Sequence, residues 1–389
     1  MTPHTLISAS NQTNRPFPKL VAIAFAAMFG AVAIPSAQAA SLYWDIDDGN
    51  IGGSTSTNAP GNWDASTASW NVNSDGSGSN TTYVGGSDAF FSASTDVTGS
   101  SAVVVTGSIS ANSITIEEGS VTLSGASTPV LTIGAGGMAV GGTGRLLTAS
   151  SLSSMQLSAS QTWTNNSTNL SASAFNTGTT TAISGVSGTG GLTLTLDGTN
   201  NNSSFSSLVR GVISNGTGNT LSLAKSGTGL WTLSGNNTYT GTTTVSDGTL
   251  ALGAADRIAN TSNLVMAGGT FATGGFNETL GTLTLSANST IDMGSLTSAL
   301  VFADSHSIAW SGTLTLLNFD IGTDTLKFGS SISALTLAQL NSISLAGYTA
   351  SLDASGFVTF AAVPEPSTYA AFAGMMILGF AAYRRRIST

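Results

Sequence analysis

Cysteine is absent from the chain, so neither disulfides nor thiolate metal sites can hold this protein together, and its stability must come from backbone ladders and an apolar core. Charge is nearly as scarce. Only 7% of residues are Asp, Glu, Lys or Arg, against about 25% in an ordinary soluble domain, which leaves hydroxyls and amides to make the surface. Cations are the rarer sign. Between Ala40 and Val363 only Arg145, Arg210, Lys225, Arg257 and Lys327 stand against 18 acidic residues, a net charge of −13. That balance argues against nucleic-acid binding, because the chain has no basic footprint to displace phosphate counterions. Amphipathic helices are also missing: up to about Leu326 no capped stretch of 3.6-residue apolar period occurs, and LTLAQLNSI near residue 337 is the best helix candidate, a short one.

What is there instead is alternation. GLTLTLDG, residues 191 to 198, places Leu192, Leu194 and Leu196 on one face and Thr193 and Thr195 on the other, the pattern of a half-buried strand. The same two-residue period pairs Val103 with Val105, Ile114 with Ile116, Val121 with Leu123, Leu250 with Leu252 and Leu283 with Leu285. Threonine suits the outward positions because it is both β-branched and polar. Glycine and asparagine suit the corners because they tolerate positive φ. A Gly-Thr-Leu/Phe phrase recurs at Gly248, Gly269, Gly281 and Gly312, with spacings of 21, 12 and 31. Self-similarity without a strict period predicts an all-β solenoid whose coils share a cross-section and differ in their loops. Coils of roughly 20 to 25 residues would give about 13 to 16 of them, each strand lying about 4.8 Å from its neighbour, with outward Thr and Asn pairing along the stack.

The two ends read as processing segments. Arg15 and Lys19 precede the apolar run 20–34, and PSAQAA follows; a positive region, a short apolar region and a small-residue site in that order predict a secretory signal peptide, a helix over 1–39 that signal peptidase removes near Ala39. At the other end Tyr369 to Tyr383 is a greasy run about 22 Å long as a helix, short of the ~30 Å of bilayer hydrocarbon. Arg384, Arg385 and Arg386 can snorkel to the headgroups and act as a cytoplasmic membrane stop, leaving the body on the other side. Just before the run, Pro364 and Pro366 bracket Glu365, and each proline fixes φ near −65° and forces extended geometry on its predecessor, so the motif stays out of the helix.

Val363-Pro364-Glu365-Pro366-Ser367, the apolar run and the arginine cluster together resemble the PEP-CTERM sorting signal. That resemblance covers about 27 residues and implies recognition of Pro364, Glu365 and Pro366 by an exosortase, with removal of a transiently membrane-anchored helix. A second resemblance lies in KSGTGLWTLSGNNTYTGTTTVSDGTLALG, residues 225 to 253. Its Lys225 to Gly229 lead, Ser234 to Gly241 corner and Asp247 to Leu250 return are similar to the autotransporter-associated β-strand repeat, also called the passenger-associated transport repeat. YWDIDDGN through VGGSDAFFSAS resembles the segment that often precedes such repeats. The family implies a right-handed parallel β-helix. Trp231 departs from it, standing where the family has an aliphatic residue, and predicts a wider or terminal coil. Only about 135 residues follow the repeat, too few for a membrane β-barrel of many strands, so the repeat reads as a building style and not as a secretion mechanism.

Candidates for chemistry are few. Glu117 and Glu118 fall on opposite faces of a strand or together in a turn, and a solvated corner pair is the expected reading. Asp320 and Asp324, flanking Gly322, read as corner caps rather than catalytic acids. Asp45, Asp47 and Asp48 invite calcium, but the fifth position of the would-be loop is Gly49, which breaks the ligand pattern. Trp44, Trp63, Trp70, Tyr43 and Tyr83 could form a sugar-stacking platform, although capping an open end of the stack is favoured. His306 has no partner His or Cys, which argues against a metal site.

The sequence therefore predicts a signal segment (1–39), an N-terminal solenoid part with a cap (40–220), a β-helix containing the repeat (221–361) and a sorting tail with a transmembrane helix (362–389). The expected function is that of a noncatalytic exported surface or extracellular matrix protein without cofactor or metal, with signal peptidase and exosortase as processing partners and exopolysaccharide as a candidate matrix partner. A carbohydrate-active β-helix enzyme, a polysaccharide lyase or hydrolase, and an adhesin are the rival readings.

Overall fold

In the computed structural model the described residues are 39–46, 61–91, 100–143, 145–168, 175–188, 190–202, 207–363, 373–380 and 383–384. They all belong to the compact unit Ala39–Thr389. The signal segment 1–38, Asp47, Asp48, the Pro364-Glu365-Pro366 motif, Arg385 and Arg386 lie outside the described residues.

Among the described residues, 24 strands are joined in one sheet, with separate sheets of three and two strands. The pairings run in three columns, one per face of a coil. The strand Ser100–Ile116 already visits all three: its Ser101–Thr106 stretch pairs with 121–126, Ser108–Ala111 with 130–133, and Ser113–Ile116 with 137–140. Further along, each face has its own strand. Leu146–Ala149, Ser154–Leu157 and Gln161–Ser167 are matched by Phe175–Thr177, Ala182–Gly185 and Gly190–Gly198, and those by Ser207–Val209, Val212–Ser214 and Asn219–Lys225.

The first face continues without a break through Leu230–Leu233, Thr249–Leu252, Thr270–Ala272, Ser289–Asp292 and Leu314–Leu317 to Ile343–Ser344. The third runs through Thr243–Val245 and Leu264–Met266 to Leu283–Leu285. On the second face the coils at 236–242 and 254–263 have no strand, and pairing resumes as the separate sheet Glu278–Leu280, Ala299–Phe302, Thr325–Phe328. This arrangement is consistent with a β-solenoid.

Coil length is uneven, and that corrects the coil count. Successive partners on the first face advance by 32 residues from Asn176 to Leu208 but by only 19 from Thr232 to Ala251. Twelve strands, from Gly61–Trp63 to Ile343–Ser344, follow one another on that face among the described residues, so fewer coils form than 13 to 16. The wide coils around 150–230 use the residues that a uniform short coil would have saved.

Inward alternation builds the core. Leu196, Val245, Met266 and Leu285 stack on the third face, and Leu250, Phe271, Ile291 and Leu316 on the first, all fully or almost fully buried. Each such side chain contributes about 1.5–3 kcal/mol by leaving water. Outward, Thr249, Thr270, Thr290 and Thr315 form one in-register ladder, as the β-branched polar pattern predicts. Asparagine works between coils: the side-chain oxygens of Asn263, Asn277 and Asn288 accept the N–H groups of Thr282, Ala299 and Thr313 in the next coil.

The Gly-Thr-Leu/Phe phrases turn out not to be equivalent. Gly248 and Gly269 are aligned on the first face. Gly281 leads into the third face, and Gly312 enters the first face two residues out of register, because Leu314 lies opposite Ser289 and Thr315 opposite Thr290. Their irregular spacing follows from those different positions.

Both ends of the stack change direction. At the N-terminal end Ser41–Trp44 pairs in parallel with Ser87–Phe91 but antiparallel with Trp70–Asn71. At the C-terminal end the hairpin Tyr348–Leu352/Val358–Ala362 is antiparallel, and an antiparallel bridge links Lys327 to Phe357. The expected short helix is Leu337–Ser342, held by a capping box in which Thr336 and Gln339 satisfy each other's backbone N–H. Antiparallel closure leaves a mismatched edge for further parallel strands to join.

Candidate functional site

The repeat-like stretch has the most specific chemistry, and its lysine is not on the surface. In NTLSLAK, Leu221, Leu223 and Lys225 alternate inward, and Lys225 is completely buried between Leu196 and Val245 of the adjoining coils. Its ammonium donates to the carbonyl oxygens of Ser226, Gly227 at 2.6 Å and Asp247 at 3.2 Å. Burial depresses its pKa to about 8, while Asp197 and Asp247 pull in the opposite direction. The corner it pins is built of glycines. A Cβ on Gly227, at φ +64°, would lie 2.1 Å from Asp197 Oδ1, and one on Gly248, at φ +55°, 2.4 Å from the Gly227 carbonyl oxygen. Only glycine combines a left-handed backbone with that approach.

The opposite corner holds a buried polar chain. The phenol of Tyr239 is 2.8 Å from Thr243 Oγ1, which is 3.1 Å from Ser262 Oγ, which donates to the Gly241 carbonyl. Nearby, Glu278 is 1% exposed and accepts the N–H of Arg257 at 2.7 Å and of Ile258 at 3.4 Å. Its carboxylate thus replaces the ladder that the strandless coil 254–263 lacks. Burial raises the Glu278 carboxyl to about 7, against the lowering effect of those N–H donors, and Asp256 raises it further. Sequence reasoning missed Glu278, although its alternation with Leu280 signals an inward side chain.

Trp231 is internal, which corrects the terminal-coil expectation. It faces Ser207 in one neighbouring coil and Leu250 in the other. The small Ser207 lets Trp231 reach Phe175, one coil further away, with ring centroids 5.0 Å apart, and Phe175 stacks in turn on Trp163 at 5.5 Å. The Trp231 indole N–H donates to the Asp197 carbonyl at 2.9 Å.

The other candidates separate cleanly. Trp44, Trp63, Trp70 and Tyr83 are buried, pack with Phe91 at ring-centroid distances of 4.8–5.7 Å and close the N-terminal end. Tyr43 is the exception, half-buried on the outside of its strand. Asp324 accepts the N–H groups of Ser298 and Asp320 as a corner cap, while Asp320 is exposed. Glu117 and Glu118 sit together in the turn after the Ser100–Ile116 strand, and burial raises the Glu117 carboxyl despite Arg145. Asp45 is buried and accepts from Asn71 Nδ2 at 3.3 Å. His306 is exposed at a bend, its N–H donating to Asp304 Oδ1. Among the described residues no group of three or more His, Cys, Asp or Glu could hold a metal ion.

Ala39 is half-buried at the start of the unit, and the carbonyl of Ala40 accepts the N–H of Asp88 at 2.8 Å. At the other end the N–H of Val363 donates to the Gly347 carbonyl at 2.8 Å. Residues 373–380 and 383–384, the latter pair including Arg384, are helical, with Met375, Met376, Ile377, Leu378 and Phe380 exposed. No helix among the described residues is long and apolar enough to cross a membrane.

Comparison with known families matches residues 223–252 to the Passenger-associated-transport-repeat. That interval runs from Leu223 to Leu252 and contains Lys225, both corner glycines, Trp231 and Tyr239. The match supports a passenger-like exported or surface protein. No curated protein and no solved structure matches the chain significantly.

Proposed function

We propose that this protein is an exported, noncatalytic, right-handed parallel β-helix that serves at the cell surface or in the extracellular matrix, released there by an exosortase acting on its tail. The observation that carries the reading is the transport-repeat match, which falls on coils whose lysine, tyrosine and glycines are occupied in backbone pinning and corner packing. Right-handedness follows the general preference of parallel crossover connections. The processing steps rest on the sequence of the two ends: cleavage at Ala39 by signal peptidase, recognition of Pro364, Glu365 and Pro366, and retention by Arg384, Arg385 and Arg386. Backbone ties at Ala40 and Val363 fit a body that starts and stops beside those two processing regions.

The test is Glu365→Ala in the native host. The full-length variant should accumulate in the membrane fraction while the parent chain appears shortened outside the cell. Equal release of a shortened product from both would contradict the sorting step. Incubating the protein with a polysaccharide panel tests the noncatalytic part: oligosaccharide release that a carboxylate substitution abolishes would replace this reading by an enzymatic one.

A further inference from the structure

The aromatic group at the N-terminal end leaves one ring that capping does not use. Leu42 and Trp44 point into the core, so strand alternation puts Tyr43 on the outside. There it lies in register with Phe90 and stacks on it, with ring centroids 5.0 Å apart and planes 20° from parallel. A stacked pair of this kind is a fixed platform, because neither ring can rotate without losing its partner.

Beside Tyr43 the chain folds into a tight turn over residues 73–77. Asn73 donates its side-chain amide to the Ser77 carbonyl, its own backbone N–H goes to Asn71 Oδ1 at 2.9 Å, and the Gly76 N–H returns to the Asn73 carbonyl at 3.1 Å. Ser77 N–H donates to Asp75 Oδ1 at 2.9 Å. The Ser77 hydroxyl and then its N–H hold the Asp75 carboxyl below its usual range, so an ionised acceptor stands exposed at this point. Between turn and platform opens a cleft of about 400 Å³, lined by Ser41, Tyr43, Asn73, Ser74, Asp75 and Ser77 together with Val72.

We infer that this cleft is a saccharide subsite that takes one ring of a neutral polysaccharide chain. The C–H face of a pyranose would lie on the exposed part of the Tyr43 platform, and its hydroxyls would donate to Asp75 and exchange hydrogen bonds with the Asn73 amide and the serine hydroxyls. A cleft that pairs an aromatic face with a few converging polar groups has the composition of a small-ligand site. Charge selects among sugars. Asp75 and the net charge of −13 between Ala40 and Val363 disfavour uronate or sulfated chains, whereas a neutral chain loses nothing to repulsion. The inference rests on the surface-protein reading for its biological setting, but binding is measured on purified protein and stands or falls without reference to export.

The experiment is saturation-transfer NMR and titration of the full chain with cellohexaose, mannohexaose and chitohexaose, and with a hexameric oligogalacturonate. At least one neutral hexaose should bind, at least tenfold more tightly than the oligogalacturonate. Tyr43→Ala should weaken that binding at least tenfold, Tyr43→Phe should retain it, and Asp75→Asn, on an exposed side chain that cannot disturb the core, should weaken it severalfold. Absence of binding by every neutral hexaose, equal binding of the oligogalacturonate, or Tyr43→Ala and Asp75→Asn proteins that bind like the parent would overturn the assignment. Export and processing would remain testable by fractionation in any of these cases.

Discussion

The ammonium of Lys225 donates to the carbonyl oxygen of Asp247, one coil further along, at 3.2 Å. A single buried cation thus ties the corner of its own coil to the corner of the next. Lys225→Ala removes the donor to three carbonyl oxygens and the alkyl stem between Leu196 and Val245, and should cost about 3 kcal/mol. The pH dependence has a definite sign. The folded-state pKa near 8 lies below the unmodified 10.5, so between those values the unfolded chain holds a proton that the folded chain has released, and stability should rise with pH across that window. Urea denaturation from pH 7 to 11 should show the rise in the parent protein and its loss in the variant.

Glu278 should act over a lower window. Its folded pKa of about 7 lies above the usual 4.5, so the folded chain binds more protons between these values and stability should fall as pH rises through them, by roughly 2 kcal/mol in all. Glu278→Gln should flatten the profile measured by urea denaturation between pH 4.5 and 8. It should also lower stability at pH 5, because an amide offers only one oxygen to the two N–H groups of Arg257 and Ile258. A variant with the parent's pH slope would show that Glu278 is not the titrating group.

Glycine substitutions should separate close approach from mere corner position. Gly248→Ala meets both a left-handed backbone and the Gly227 carbonyl, and should cost at least about 2 kcal/mol. Gly191→Ala, in open space with ordinary φ, should stay within about 0.5 kcal/mol of the parent. Thermal denaturation of the two variants checks the difference.

Much of this architecture was legible because it depends on a two-residue period. Leu192, Leu194 and Leu196 are inward as read, and so are Val103, Val105, Leu250 and Leu252. The short helix at 337–342 was visible in its sequence and is closed by the Thr336/Gln339 capping box. Register was not legible. The phrases at Gly281 and Gly312 look like those at Gly248 and Gly269, yet their places differ because a coil can lengthen by a loop without changing its strands. Trp231 misled for a related reason: its bulk is absorbed by Ser207 in the adjoining coil, a complementarity between residues 24 apart that no local pattern announces. Lys225 and Glu278 do obey the alternation, as Leu223-x-Lys225 and Glu278-x-Leu280, but polar identity argues for the surface unless the phase is trusted over the side chain.

The most direct test is intact-mass and peptide spectrometry of the protein recovered from outside the cells that make it. The account predicts a chain beginning at Ala40 and ending upstream of Tyr369, with the Lys225-containing coils intact and Arg384 to Arg386 gone. A full-length chain from Met1 to Thr389, recovered only from the cytosol, would contradict it.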